Sequence, residues 1–579
     1  MTRLFNDPVN FVDEATEGFV AAHTQRVCQV PGGVIRSTRS EPGSVAVVIG
    51  GGSGHYPAFA GLVGQGLAHG AVMGNLFASP SAQQVYNVCK AANNGGGVLL
   101  SFGNYAGDVL HFGQARERLI REGIPCEIVA VIDDVSSAEQ EELHKRRGIA
   151  GDLTVFKVAA AAAEAGYSLE EVVRVSRAAN LRTRSMGVAF DGCTLPGADD
   201  ALFHVPDGKM AVGLGIHGEP GISEQAIPTA DDLAELLVSH LLEEIPDGID
   251  SVHGARTSVL LNGLGSIKYE ELFVVYRRVN QLLTEAGLEI VEPEVGELVT
   301  SLDMAGASLT LFWLDEELER LWKAPCDTPA YRKGSLNPAP PIDASQLDIP
   351  DADEIPPASE ASMAAARCLR QAIGATRQVV DDNVEELGRM DAIAGDGDHG
   401  IGMQRGAVAA DKAAESAVDR QAGAGTLLRL AAEAWSDRAG GTSGAIWGVM
   451  LNALSLTLGD DDEPTPTHYA RGIAKAKDDV MAFGKAKPGD KTLVDALIPF
   501  SEALSQAVDA GEALAPAWQR ACEVATQAAS DTAALKPKLG RARPLAEKSV
   551  GTPDPGATSL AMILTAIHAV IEQHTTATT

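Results

Sequence analysis

Apolar residues in the first 330 or so positions fall in short runs of four to six, rich in valine and isoleucine, at 45–49, 98–102, 127–132, 187–190, 211–216 and 259–262. Runs of this length, separated by helical stretches, predict strands alternating with helices and an α/β half with substantial parallel sheet. Beyond position 360 the pattern changes. Alanine-rich segments at 362–387, 425–438, 444–458, 495–507, 516–535 and 557–572 carry apolar residues three and four apart, so the second half is predicted to be all-helical. Between the halves the text turns to proline and acid, as in 337–341 (NPAPP) and 348–357 (DIPDADEIPP). Such composition favours an extended, semi-rigid connector. The expected division is 1–334, a linker at 335–360, and 361–579.

With 579 residues the chain is too long for one core. A formal charge of −32 argues against nucleic acid and anionic membranes as partners, because phosphate backbones attract basic patches. The longest stretch without a charged residue, 42–89, is broken by prolines and glycines and reads as buried scaffold rather than a membrane span. Seven cysteines are scattered without a CxxC pair, and no leader-like segment precedes them. A reduced, cytoplasmic setting is expected.

In open α/β sheets, ligands bind beyond the carboxyl ends of strands. The predicted strand ends are polar here: GGGSGH at 50–55 delivers His55, GNYAGD at 103–108 delivers Asp108, and HGEPG at 217–221 begins with His217. Histidine serves as base or nucleophile near neutral pH, and a carboxylate can orient or assist it. GLGIHG at 213–218 spells a dinucleotide fingerprint, but Glu219-Pro220-Gly221 stands where the phosphate-binding helix should start, so it is set aside. In the helical half, Asp391, Asp396 and Asp398 put three carboxylates within eight residues threaded by glycine. Hard oxygen ligands in that density suit magnesium carrying a phosphate.

These motifs are long and ordered: GGGSGH at 50–55, FASPS at 77–81, NYAGD at 104–108, GIHGEPG at 215–221, TSLDMAG at 300–306, GDGDHG at 395–400, GGTSGA at 440–445, GDKT at 489–492 and DPGATS at 554–559. With them the chain resembles the single-chain, ATP-dependent dihydroxyacetone kinases along essentially its whole length. The resemblance implies a ketose-binding half, built as two α/β subdomains with largely parallel sheet, and an all-α helical barrel or bundle that binds Mg-ATP. It implies that His217 adds to the substrate carbonyl as a hemiaminal, that His55 and Asp108 do acid-base work and hold hydroxyls, and that Gly52, Ser53 and Gly54 cradle the ketose. On the donor side it implies that Asp391, Asp396 and Asp398 hold two magnesium ions (Mg2+). Nucleotide contacts are implied for His399, Gly400, Ile401, Gly402, Thr442, Ser443, Gly489, Arg541, Asp554, Pro555 and Gly556. It further implies a homodimer in which one subunit's helical half reaches the other's ketose half.

The chain departs from the family pattern at Tyr56, where an acidic residue is usual, at 74–76 (Gly-Asn-Leu), and at Gly103, where some relatives carry a lysine. These changes make a four-carbon ketose such as erythrulose an expected acceptor beside dihydroxyacetone. Two other readings use the same residues: a lyase that cyclises FAD, and a non-catalytic ketose sensor.

Overall fold

The computed structural model describes residues 2–343, 355–393, 395, 397–538 and 548–578, which form two compact units, Met1–Pro350 and Asp351–Thr579. In the first unit, helix α1 (Phe11–Ala22) precedes a six-stranded sheet of β1 (Val27–Val30), β2 (Gly33–Arg36), β3 (Ala46–Ser53), β4 (Gly70–Leu76), β5 (Val98–Gly103) and β6 (Cys126–Val131). Its order is β1-β2-β4-β3-β5-β6. The β3, β4, β5 and β6 neighbours pair in parallel, and β1 and β2 form an antiparallel edge.

Strand β3 shows why its run is continuously apolar. Ala46 and Val48 enter the core beneath α2 (Ala82–Ala92) and α3 (Ala106–Arg121), whereas Val47 and Ile49 enter the core beneath α4 (Asp152–Glu164) and α5 (Leu169–Leu181). A parallel strand covered on both faces needs no polar side. The uncharged stretch 42–89 supplies β3, β4 and much of this core.

A second sheet consists of β7 (Thr183–Asp191), β8 (Lys209–Val212), β9 (Ser223–Ala226), β10 (Arg256–Gly263), β11 (Glu289–Ile290), β12 (Glu294–Gly296) and β13 (Ala305–Leu314). Here the expectation of largely parallel pairing does not carry over. The path β10-β13-β7-β8-β9 is antiparallel throughout, and only the short β11 and β12 run parallel to β10. The chain returns from β7 to β8 and from β8 to β9 without a crossover helix, which is what antiparallel neighbours permit. Helices α6 (Ala230–Glu243) and α7 (Tyr269–Glu285) cover one face, while Ala189, Leu260 and Phe312 join the core that also holds Val47 and Ile49. The two sheets therefore share a core. Helix α8 (Glu316–Trp322) completes this region. The chain then lies along the same unit as far as Ile342, with the Arg39 amide donating to the Pro340 carbonyl and the Ile342 amide to the Ser37 carbonyl.

The second unit comprises α9 (Glu360–Asp391), α10 (His399–Asp419), α11 (Ala424–Ala439), α12 (Gly441–Leu458), α13 (Pro466–Gly484), α14 (Val494–Asp509), α15 (Leu514–Asp531) and α16 (Pro555–Thr578). Each helix packs on its neighbours in sequence and α16 closes on α9, making an all-α barrel. Helix α16 alone among the described residues is long and apolar enough to cross a membrane by length and composition, but Ala557, Leu560, Ile563 and Leu564 lie in the barrel core. Two helices, α10 and α13, fall outside the apolar segments noted in the sequence. The buried stripe of α10 is Ala407, Ala410, Ala414 and Ala417, so it shows little hydropathic contrast. Small residues also let the backbones approach: a β-carbon at Gly406 would lie 2.4 Å from the Trp435 indole nitrogen. Trp435 is buried and stacks on Trp447 at 4.8 Å between centroids. Trp435→Ala should destabilise the helical unit by about 3–5 kcal/mol, read from its urea unfolding transition.

Candidate active site

Strands β3 and β5 run parallel, so the loops that follow them leave the sheet at the same end. Strand β3 runs on to Ser53 rather than stopping at Ile49, and its end and the turn after it are glycine-rich because the backbone is crowded. A β-carbon at Gly52 would lie 2.7 Å from the Ala78 amide nitrogen, and Gly54 has φ +105°. The Ser53 hydroxyl donates to the Gly74 carbonyl, so Ser53 offers an incoming ligand its backbone. His55 follows, 2 % exposed, with Nδ1 2.7 Å from the Thr300 carbonyl oxygen.

His217 arrives from the other sheet. Strand β8 ends at Val212, earlier than the apolar run suggests, and residues 213–222 form a turn that carries His217 to the His55 ring. The two Nε2 atoms are 3.0 Å apart, with the rings edge to face. Tyr105 and Phe77 wall the pair, each edge-on to His217 at centroid distances of 4.7 and 5.4 Å. The His217 side chain is 17 % exposed, so a ligand reaches it first, with His55 behind. On its far side, Nδ1 lies 3.0 Å from Glu219 Oε1, and the His217 amide donates to Glu219 Oε2.

Hydrogen-bond accounting fixes the protons. A carbonyl oxygen only accepts, so His55 Nδ1 carries hydrogen. Burial, then the neighbouring His217, pushes the His55 imidazole down to about 3, so it is neutral and its Nε2 can only accept. The hydrogen in the 3.0 Å contact therefore belongs to His217 Nε2, and the Glu219 carboxylate receives the one on Nδ1. Both ring nitrogens of His217 thus face acceptors, His55 Nε2 on one side and the Glu219 carboxylate on the other. Burial by itself would raise the Glu219 carboxyl, but the His217 charge and hydrogen bond, with Arg147 beyond, hold it well below the ordinary range.

Asp108 sits in the first turn of α3, buried, with its Oδ1 lacking a hydrogen-bond partner. Burial pushes it up to about 7, against the opposing pull of the Ser79 hydroxyl. The structure thus joins His55 directly to His217 and gives Asp108 a separate setting. Gly103 is not simply vacant space: a β-carbon there would meet the Tyr105 ring at 3.1 Å and the Gly148 carbonyl at 3.2 Å. Phe77, Ser79, Tyr105, Glu219 and Thr300 were not singled out from sequence. All five lie inside the recurrent motifs, which was the available signal.

In the helical unit, successive helices joined by short connections run up and down, so alternate N-termini collect at one end of the barrel. Asp391 ends α9, Asp398 caps α10, and His399 opens it with its amide directed at Asp391 Oδ2, 3.4 Å away. Asp398 is pushed up to about 6 by burial and then by the Asp391 charge. Crowded carboxylates of this kind fit a divalent cation, which would relieve their repulsion. Asp396 and Arg541 lie outside the described residues, and among those described no three metal-binding side chains cluster.

The His399 ring bonds Ser559 of α16 at 3.0 Å, and Asp554 precedes that helix, accepting from the Ala557 amide. Asp554 is pushed up to about 7, chiefly by burial. Pro555 and Gly556 form the first turn of α16, Gly400, Ile401 and Gly402 that of α10, and Thr442 and Ser443 that of α12. Not every amide there is available: Gly402 donates to the Asp398 carbonyl and Gly489 to Asp495 Oδ1. Asp495 was not anticipated. It also accepts from the Thr492 amide and shapes the GDKT turn. Helix N-termini attract phosphate.

Histidines suited to a carbonyl on one unit and helix ends suited to phosphate on the other describe a small-molecule kinase. Residues 17–330 match the Dak1 domain and residues 393–569 the DAK2 domain. An L-erythrulose kinase of Pectobacterium atrosepticum is 67% identical over 578 residues, covering 100% of this chain and 98% of that protein. A D-erythrulose kinase of Mycolicibacterium smegmatis is 55% identical, covering 97% of each. The crystal structure of the dihydroxyacetone kinase from C. freundii in complex with AMP-PNP and Mg2+ superposes with a TM-score of 0.52 at 30% identity, over 98% of this chain and 99% of that one. The chain belongs to the dihydroxyacetone kinase family.

Because burial penalises the charged form, Asp108 should ionise only as pH rises through about 7. Carboxyl NMR with labelled aspartate should show a midpoint there that disappears in Asp108→Asn; a midpoint below 5 would contradict the assigned environment.

Proposed function

We propose that this ATP-dependent ketose kinase phosphorylates the terminal hydroxyl of L-erythrulose, held covalently on His217. The observation that carries the reading is the His55–His217–Glu219 array, found in a chain whose whole length aligns with erythrulose kinases. Nε2 of His217, released from its contact with His55 Nε2, adds to the ketose carbonyl carbon. Only an aldehyde or ketone can form that bond, so glycerol and other polyols are rejected by chemistry rather than by fit. The Gly52–Gly54 backbone cradles the bound ketose. Asp108, poised near neutrality, accepts the proton of the attacking hydroxyl.

On the donor side the first turns of α10, α12 and α16 receive ATP phosphates. Asp391 and Asp398, with Asp396, hold magnesium, which when bound neutralises charge on the transferring phosphoryl group. Arg541 and the Gly489 turn complete the nucleotide contacts in this reading. A cytoplasmic homodimer belongs to the same proposal. All seven cysteines are unpaired, which suits a reducing compartment.

A coupled ADP-release assay across L-erythrulose, D-erythrulose, dihydroxyacetone and glycerol, with mass analysis of the product, tests the assignment. The expected order puts L-erythrulose first by kcat/KM, with no turnover of glycerol; absence of ADP release on every short ketose would sink it. Asp108→Asn should lower kcat on the order of 10²–10⁴-fold. In the unmodified enzyme kcat/KM should climb with pH and level off above about 7, since the ionised form of Asp108 is the one that accepts the proton.

A further inference from the structure

Glu219 holds His217 by two bonds, one to the ring Nδ1 and one to the backbone amide. Its place is prepared. A β-carbon at Gly215 would fall 2.1 Å from Glu219 Oε2 and 2.6 Å from the Arg147 guanidinium, so the glycine makes room for both. Arg147 approaches Glu219 Oε2 at 3.9 Å and is itself paired with Asp134 at 2.7 Å. The titratable groups facing the histidines are thus Glu219 on the His217 turn, Tyr105 before α3, and Arg147 from the 134–147 loop. Asp134 and Asp152 lie behind them.

We infer that Glu219 is a positioning residue for covalent capture: it keeps one proton stored between the two imidazoles and then balances the charge of the adduct that this proton completes. The inference rests on the hemiaminal reading above. In the resting site the stored proton is on His217 Nε2, donated to His55 Nε2. For attack, that proton passes to His55 and frees the Nε2 lone pair. The N–C bond forms as the carbonyl π bond breaks, and His55 returns the proton to the new oxygen, giving the C2 hydroxyl. His55 ends neutral, and His217 ends as an N-substituted imidazolium with hydrogen still on Nδ1, facing Glu219. The site carries the same net charge before and after, so capture takes up no proton from solvent.

Without the carboxylate, the pair loses the partner that keeps its stored proton. Capture then has to draw one proton from solvent, and an equilibrium that takes up one proton strengthens about tenfold for each unit of falling pH. The test compares Glu219→Gln with the unmodified full-length enzyme, using dihydroxyacetone labelled with carbon-13 at C2 and NMR of the protein-bound sp³ carbon between about pH 6 and pH 8. The ratio of the two formation constants cancels titrations common to both proteins, Asp108 included. The expected result is an adduct at least tenfold weaker in the variant at pH 8, recovering as pH falls. Glu219→Ala replaces the amide variant if that one does not fold, and Glu219→Asp, which keeps the charge, should give a flat ratio. A ratio independent of pH in the uncharged variants, whether affinity is kept or lost, would overturn the proposal. Failure of the unmodified enzyme to form any adduct would instead overturn the hemiaminal reading on which it rests.

Discussion

Two imidazole nitrogens 3.0 Å apart can share one proton and no more, and much of the first unit serves to hold them in that relation. One ring comes from the parallel sheet and the other from the antiparallel sheet, so their contact needs a clasp between the two. Residues 300–302 provide it. The Thr300 amide donates to the His55 carbonyl and the Leu302 amide to the Gly54 carbonyl, while the Ser301 hydroxyl donates to the Ile216 carbonyl beside His217. The Thr300 carbonyl then fixes the His55 tautomer. Position and tautomer of the pair are therefore set by hydrogen bonds whose partners lie 85 to 245 residues apart.

The helical unit meets a different requirement with a related device. Its core is built largely of alanine, which brings the helices close and leaves their ends to do the chemistry. Helix N-termini carry partial positive charge, and Asp391, Asp398 and Asp554 are placed among them. Burial and mutual repulsion raise Asp398 and Asp554 above the usual aspartate range, a cost that a bound cation would remove. The acidity of the whole chain does not carry over to these sites in a simple way: Arg405 and Lys491 lie within electrostatic reach of Asp398 and Asp554.

Much of this organisation was legible in the residues. Strands β5 and β6 follow their apolar runs to within a residue, because both faces are buried, whereas β3 continues four residues past its run through the glycines to Ser53. Strand direction was not legible in the second sheet, since apolar runs carry no sign of whether a neighbour is parallel. Helices α10 and α13 escaped notice because alanine and glycine give weak periodic contrast. At the site, His55, His217 and Asp108 stood out as chemically able groups at predicted strand ends. Glu219 did not, since in GIHGEPG it looked like part of a turn, and only the fold brings its carboxylate to the ring of the residue two before it. The lysine that some relatives carry at Gly103 has no ready room here, since Tyr105 and the Gly148 carbonyl lie close to where its β-carbon would stand.

The chemistry of the histidine pair turns on where one proton sits. Nitrogen-15 NMR of the histidine side chains in the ligand-free enzyme at neutral pH reads this directly. The expected spectrum has hydrogen on both ring nitrogens of His217 and on Nδ1 alone of His55. A His217 ring with an unprotonated Nε2, or a His55 ring charged at that pH, would contradict it.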